Sequence, residues 1–511
     1  MNRAKRYIVN ALILSACTLL MRTVAVAFNA FCVQKVGNEG MGLFSLVMSV
    51  YTFAVTLATS GVNLAATRLV ALYFGKNEGA SVRSAMGKCL CYSAAFGAAA
   101  SLGLFLFASG IATHFLQEPR AAMSVRALSL SLLPLSLCSA FSGYFSAVRR
   151  VYKNAISQVL EQTVKIFSCT FLLSMLLPRG VEYACLALVL GGAVSEVFSF
   201  CMQLVSYLTD IRALPRGGAP VGMKQVTEIS LPVAFSAYVR SGLVTLEHIL
   251  IPIGLTAYGD TNALATYGVI SAVALPILLY PYAFVGAFAG QIIPEITEFY
   301  AAENHKEVSY VTARAFYTTL FFAIPIAGMF AAFSSDFCTV IYGSGEAAVF
   351  LRTLAPLLPV MFLDTVTDSI LKGLGKQFYT MCVNIADAAI SVLLVWLLVP
   401  RMGVYGYIVV LYVSECINTV FSIGKLLTLT HFSVRLWKML FAPLCAVCLA
   451  SNAAVFLMRR LSLPLSAGAL VLECTVFAIL YVLCARLLGS VGKEETLWVK
   501  NLLGKEKAVA R

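Results

Sequence analysis

The chain has 511 residues, of which 60% are hydrophobic and 12% charged, with a mean hydropathy of +0.87. That composition excludes a soluble globular protein and describes a polytopic membrane protein. The net charge of +13 invites a nucleic-acid reading, but most of the Lys and Arg fall on one side of the predicted spans. This is positive-inside topology, and no nucleic-acid partner is implied.

Apolar runs of about 20 residues, the length of one bilayer crossing, recur from end to end. They predict an all-α fold with fourteen spans, at 8–33, 42–74, 89–113, 127–148, 154–177, 183–208, 225–254, 264–294, 309–332, 348–371, 377–399, 403–425, 436–458 and 463–487. Both termini are expected to be cytoplasmic, in the cell membrane. The inner basic set includes "MNRAKR", "RRVYK" at 149–153 and the tail from Arg486, while Arg459 and Arg460 fall outside against the rule. The basic head and apolar run at the N-terminus lack a small-residue cleavage site and read as a retained first helix. The fifteen cysteines are scattered through apolar helices, with no disulfide or metal framework.

An ionisable residue at membrane depth is a functional-site hypothesis, because lipid does not solvate it. Span 1 carries Arg22, and Arg68 lies at the inner end of span 2. Span 5 carries Gln158, Glu161 and Lys165 at spacings that put them on one helical face. Glu161 and Lys165 can neutralise each other at i, i+4, or serve a substrate. Span 6 has Ser195 and Glu196, read as inter-helix hydrogen-bonding groups. A Gly- and Pro-containing linker, 213–223, follows on the cytoplasmic side.

Span 7 holds Arg240, Glu247 and His248. Span 8, with Pro276, Pro281 and Pro294, is predicted to break or flex. Glu295 and Glu298 at its inner end are candidates for a gate ion pair with Arg68, or plain solvated helix ends. In span 10, Asp368 is expected to pair with Lys372, which leaves Asp364 seeking a partner or a cation. Span 11 carries Asn384 and Asp387, and span 12 carries Ser414 and Glu415.

The chain repeats itself. "AVRRVYKNAISQVLEQTVKI" from Ala147 is answered by "GLGKQFYTMCVNIADAAISV" from Gly373, "AVSEVFSF" by "YVSECINT", and Arg22 by Arg240, at nearly equal offsets. The organisation read from this is a six-helix lobe at 1–212, the linker, a second lobe at 224–430, extra helices 13 and 14 within 431–490, and a tail at 491–511. Six spans per lobe make the repeat parallel, related by an axis along the membrane normal. Two guanidiniums in equivalent places suit a phosphate or pyrophosphate between them. The competing reading pairs each Arg with a carboxylate, such as Arg240 with Glu161 or Glu247.

"RTVAVAFNAFCVQKVGNEGMGLFSL", "SGVNLAATRLVALYFGKNE" and "SQVLEQTVKI" carry a resemblance that covers essentially the whole chain. It is to the multidrug/oligosaccharidyl-lipid/polysaccharide (MOP) exporter superfamily, and within it to the stage V sporulation protein B-like and MurJ-type lipid II flippases. The resemblance implies two lobes forming a V around a cationic cavity, with helices 13 and 14 making a groove for a lipid tail. It implies an undecaprenyl-pyrophosphate-linked glycan or lipid II-like substrate moved from the inner to the outer leaflet by alternating access. Arg22 then takes the place of a helix 1 cavity arginine and Arg68 loosely that of helix 2. Helix 8, where MurJ-type proteins place another, has none, and Arg240 is expected to substitute. The substrate-binding set is thus Arg22, Arg240, Arg68, Gln158, Glu161 and Lys165.

No Walker-type loop is present, and no cofactor is implied. Asp364 and Asp387 are the candidates for coupling to a monovalent cation or proton. The alternative is a cation-coupled multidrug exporter of the same superfamily, which typically has twelve helices and an acid in helix 1. A membrane-embedded glycosyltransferase would need large outer loops, and the longest here, 114–126 and 333–347, are short; the chain is not read as an enzyme. The protein is expected to be a monomer among membrane lipids.

Overall fold

The computed structural model describes residues 3–212, 217–432, 435–461 and 464–491, and every regular element among them is helical. The tail from residue 492 and linker residues 213–216 lie outside the described residues. Helix α1 (Arg3–Thr59) is followed by α2 (Val62–Gly75), α3 (Gly79–Gly110), α4 (Ala122–Ala147), α5 (Val151–Leu176), α6 (Val181–Arg212) and α7 (Met223–Tyr258). Then come α8 (Ala263–Gly268), α9 (Leu275–Leu278), α10 (Tyr282–Ala301), α11 (His305–Ala332), α12 (Ser334–Tyr342), α13 (Ala348–Leu354) and α14 (Leu358–Gly373). The series ends with α15 (Gln377–Met402), α16 (Val404–Thr430), α17 (Ala442–Leu461) and α18 (Ala467–Leu487).

Among the described residues, 12 stretches are long and apolar enough to cross a membrane, and 13 if α8 to α10 form one broken span. One of the 12, Leu20–Gly75, has 56 residues. A straight helix of that length would reach about 85 Å, nearly three times the hydrocarbon thickness. It breaks instead at Gly37, whose φ of 80° and ψ of 171° are not helical, so it has the length of two crossings; counted so, and with α8 to α10 as one broken span, the described residues hold 14.

Expected loops turn out to be helical. The first exit loop shrinks to Gly37, because a glycine takes that φ without strain. Span 2 is itself interrupted at Ser60 and Gly61, with φ of 45° and 71°. The stretch 114–126, expected as an outer loop, is covered by a π-turn, a 3-10 turn and the start of α4, and 333–347 contains α12. The prolines of span 8 act as expected: a π-turn at 269–274, the four-residue α9 and a turn at 279–281 precede α10, while Pro294 sits inside α10.

Spatially the chain forms two compact units. The first is Met1–Ala272 with Asn384–Val410; the second is Val273–Val383 with Leu411–Arg511. In the first, α2 buries Val62, Ala65, Ala66, Leu69 and Val70, the three-and-four spacing of one helical face. That face packs on α3 and α4 with Tyr144, Phe141 and Tyr207. A Cβ on Gly143 would meet Asn63 O at 2.6 Å, so α2 and α4 cross nearly backbone to backbone. The described linker residues are strapped to the start of α3: Ala80 N donates to Gly217 O at 2.7 Å, and Ser81 Oγ to Ala219 O at 2.9 Å. At the "RRVYK" turn, buried Asp210 of α6 holds both Arg150 and Lys153.

In the second unit α10 crosses α14 closely, with Thr297 Oγ1 donating to Gly373 O at 3.0 Å. The last two helices are fastened to α11. Tyr481 Oη donates to Phe321 O at 3.1 Å, Tyr317 Oη to Ser490 O at 2.9 Å, and Gly328 leaves room for Val447.

Candidate functional site

Three polar clusters stand inside the spans. The first joins α1, α4, α5 and α6. Ser157, Glu161 and Lys165 recur every fourth residue on α5, as do Ser195, Ser199 and Gln203 on α6, so two polar stripes face each other. Ser157 Oγ and Ser199 Oγ are 3.0 Å apart, and Gln203 Nε2 lies 3.5 Å from each. Glu161 bonds to Ser199, with Lys165 within electrostatic reach of both Glu161 and Glu196. Tyr51 Oη donates to Glu196 Oε2 at 2.6 Å and is 2.7 Å from Ser131 Oγ. Glu196 thus binds across helices as expected. Gln158 is exposed while Glu161 and Lys165 are half-buried, so the span 5 trio is divided.

The second cluster joins α7, α8, α15 and α16, also within the first unit. Glu247 bonds to Ser391 and lies within electrostatic reach of Asp387. Tyr267 and Tyr407 face the same carboxylate. His248 Nδ1 is 3.1 Å from Tyr267 Oη. A close crossing supports this arrangement: a Cβ on Gly254 of α7 would meet Val399 of α15 at 2.9 Å. Sequence reasoning had Asp387 as a coupling candidate and Glu247 only as a partner for Arg240 or a neighbour of His248. The acid pair was missed because its members sit on helices far apart in the chain; the available signal was Glu247 within span 7 and Asp387 within span 11.

The third cluster lies in the second unit. Asn418 Nδ2 of α16 donates to Asp364 Oδ2 of α14 at 3.2 Å. Thr365 Oγ1 donates to Tyr282 Oη at 2.6 Å, and that tyrosine is in reach of Asp364, Asp368 and Glu415. Asp368 pairs with Lys372 at 3.9 Å across one helical turn, as the spacing predicted. The two coupling candidates, Asp364 and Asp387, therefore belong to different clusters.

The arginines belong to the first unit as well. Arg22 is half-buried on the first limb of α1, while Arg68 occupies the exposed face of α2 and Arg240 is exposed on α7. Glu295 and Glu298 are exposed on α10. Around Arg240, α7 is laced to the second limb of α1 by one side-chain stripe. Tyr238 bonds to Ser60, Ser241 Oγ is 3.1 Å from Thr56 Oγ1, and Thr245 Oγ1 donates to Ser49 O at 3.1 Å. The spacing 238, 241, 245 is that of a single helix face.

Beyond the Gly37 break of α1, Gly42 of "VGNEGMGLFSL" lies against α8. A Cβ there would meet the Leu264 carbonyl carbon at 3.0 Å, and a Cβ on Gly268 would meet Gly42 N at 2.8 Å. Beside this contact, Arg120 donates to Glu39 at 2.8 Å and to Glu118 at 3.1 Å. These residues border a polar cavity of about 400 Å³ that includes Asp260 and Asn262.

Residues 8–286 match the family described as Polysaccharide biosynthesis protein, and residues 239–397 match MatE. Stage V sporulation protein B of Bacillus subtilis (strain 168) is 23% identical over 414 residues, covering 78% of this chain and 79% of that protein. Lipid II flippase MurJ of the same organism is 26% identical over 410 residues, covering 73% and 74%. Among solved structures, Lipid II flippase MurJ in an inward closed conformation aligns with a TM-score of 0.69 at 13% identity, over 96% of this chain and 100% of that one. An inward-facing multidrug resistance MATE family transporter of the MOP superfamily aligns with a TM-score of 0.66 at 13% identity, over 81% and 96%. These structural likenesses show the fold, that of a polytopic all-α membrane protein.

Proposed function

The chain belongs to the polysaccharide biosynthesis protein family, and on that premise we propose that it is a MOP-superfamily transporter, a lipid-linked oligosaccharide flippase. Its cargo is an undecaprenyl-pyrophosphate-linked glycan or lipid II-like peptidoglycan precursor, carried from the inner to the outer leaflet by alternating access. Both termini are cytoplasmic, and the chain works as a monomer of two six-helix lobes and two extra helices. The observation that carries this reading is the pair Arg22 and Arg240, two permanent cations on membrane helices of one unit. Holding an arginine at membrane depth costs about 2.5–3.5 kcal/mol or more. A pyrophosphate repays that cost, since the guanidinium fork binds it bidentately. Arg68, Gln158, Glu161 and Lys165 complete the proposed substrate set.

Coupling is assigned to acids: Asp387, now joined by Glu247, and Asp364 with Asn418. Each is a site for a proton or monovalent cation. The MatE match over 239–397 includes Glu247 and Asp387 and supports a second reading, a cation-coupled multidrug exporter. Against it, the described part of span 1 contains Arg22 and no acid.

The test is translocation of a fluorescent undecaprenyl-pyrophosphate glycan in liposomes, comparing wild type with Arg22→Ala and Arg240→Ala at matched insertion. Transport by wild type and loss in both variants supports the proposal. Variants as active as wild type remove the arginines from the mechanism, and an inactive wild type that moves drug-like cations favours the second reading.

A further inference from the structure

A cavity of about 410 Å³ lies in the first unit between the second limb of α1, α3 and α7. Phe53 and Leu57 of α1 and Ala99, Ala100 and Gly103 of α3 form apolar walls, with Tyr238 of α7 at one side. The notch exists because α3 is small at these positions. A Cβ on Gly103 would meet nothing within 4 Å. Its neighbours Leu102, Phe105, Leu106 and Phe107 are large and 52 to 68% exposed. Large exposed apolar side chains on a membrane span face lipid, so the notch is an indentation continuous with the lipid-facing surface of α3.

Nothing in the notch calls for water or a head group. The hydroxyl of Tyr238 bonds to Ser60 Oγ, which is also 2.9 Å from Tyr92 Oη, so these groups satisfy one another. Water does not fill a dry apolar cavity, and a void forfeits dispersion contacts along its whole lining. Hydrocarbon chains are what adjoin this surface, and the volume is within the range of small-molecule sites.

We propose that the notch seats one acyl chain of a bilayer phospholipid. The basic residues Lys76, Arg83 and Lys88 flank the start of α3, whereas the notch runs along its second half. The chain therefore belongs to the leaflet away from that basic end. It lies against the seam where Tyr238, Ser241 and Thr245 hold α7 to α1, and Phe53, a wall of the notch, is 3.5 Å from where a Cβ on Gly242 would stand. The seated chain braces that seam. The inference does not depend on which cargo the protein moves.

The test uses the full chain in nanodiscs containing a phospholipid with a diazirine at the acyl terminus, with adducts mapped by mass spectrometry. Adducts are expected to concentrate on Phe53 and Phe96 over Phe171, a lipid-facing control on α5 that is 65% exposed. Ala100→Phe fills the notch and should lower the notch adducts about tenfold, the scale of one overpacked side chain, without changing those on Phe171. Gly103→Leu fills the same space with a smaller group and gives the answer where Ala100→Phe fails to insert. Equal labelling of notch and control, or labelling indifferent to filling, overturns the proposal. So does preferential labelling by a diazirine-bearing polyprenyl phosphate, which would make the notch a site for a polyprenyl tail.

Discussion

Replacing Gly42 or Gly268 by alanine should open the contact between α1 and α8. A Cβ on Gly42 would stand 3.0 Å from the Leu264 carbonyl carbon and still closer to its oxygen, and one on Gly268 would stand 2.8 Å from Gly42 N, where ordinary contact begins at 3.4 Å. The obstructing atoms are backbone, so no side chain can turn aside and the helices must separate by at least about 0.6 Å. Overpacking of this kind costs about 1–3 kcal/mol, which shifts a two-state equilibrium by roughly 5- to 150-fold. Hydrogen exchange of 38–46 and 263–270 in nanodiscs reads that shift directly. Gly87→Ala is the control, since its Cβ would meet nothing within 4 Å and alanine favours a helix by about 1 kcal/mol. Because both glycines serve one contact, the double variant should cost less than the sum of the singles. Exchange in Gly42→Ala that matches wild type and the control would refute the reasoning.

Tyr51→Phe removes the hydroxyl 2.6 Å from Glu196 and should lower stability by about 1–3 kcal/mol, seen as a lower unfolding midpoint in detergent; Ser131→Ala, which leaves that donor in place, should cost less. Asp210→Ala strands Arg150 and Lys153 around a vacated acid. With Arg150 47% exposed, the loss should be about 1–3 kcal/mol, below that of a fully buried pair, and Asp210→Asn should recover part of it in chemical unfolding. Gly328→Ala drives a methyl into Val447 and should loosen α17 from α11 by about 1–3 kcal/mol; Val447→Ala in the same chain should restore protease resistance. Glu247→Gln and Asp387→Asn should each abolish the ion dependence of transport in liposomes while leaving insertion unchanged, and retained ion dependence in both would remove this pair from coupling.

What the sequence determined by itself was everything set by short-range regularity. Hydropathy over 20 residues located the spans, and the proline cluster of span 8 marked its break, because lipid penalises unsatisfied backbone wherever it occurs. The Asp368–Lys372 pair was legible because one helical turn fixes its geometry. Loop positions were less so: 333–347 is polar enough to read as a loop, yet most of it, Ser334–Tyr342, folds as α12. The pairings across helices were decided only by packing. Tyr51 and Glu196 are 145 residues apart, and Glu247 meets Asp387 only once Gly254 lets α7 approach α15. Gly42 was visible as part of a motif, but its purpose depends on the Leu264 backbone passing beside it. Arg22 stood out at once as a charge in an apolar run, since its cost is a local quantity, whereas what surrounds it is a property of the folded chain. Residue spacing specifies which groups share a helix face, and only the tertiary structure specifies what that face meets.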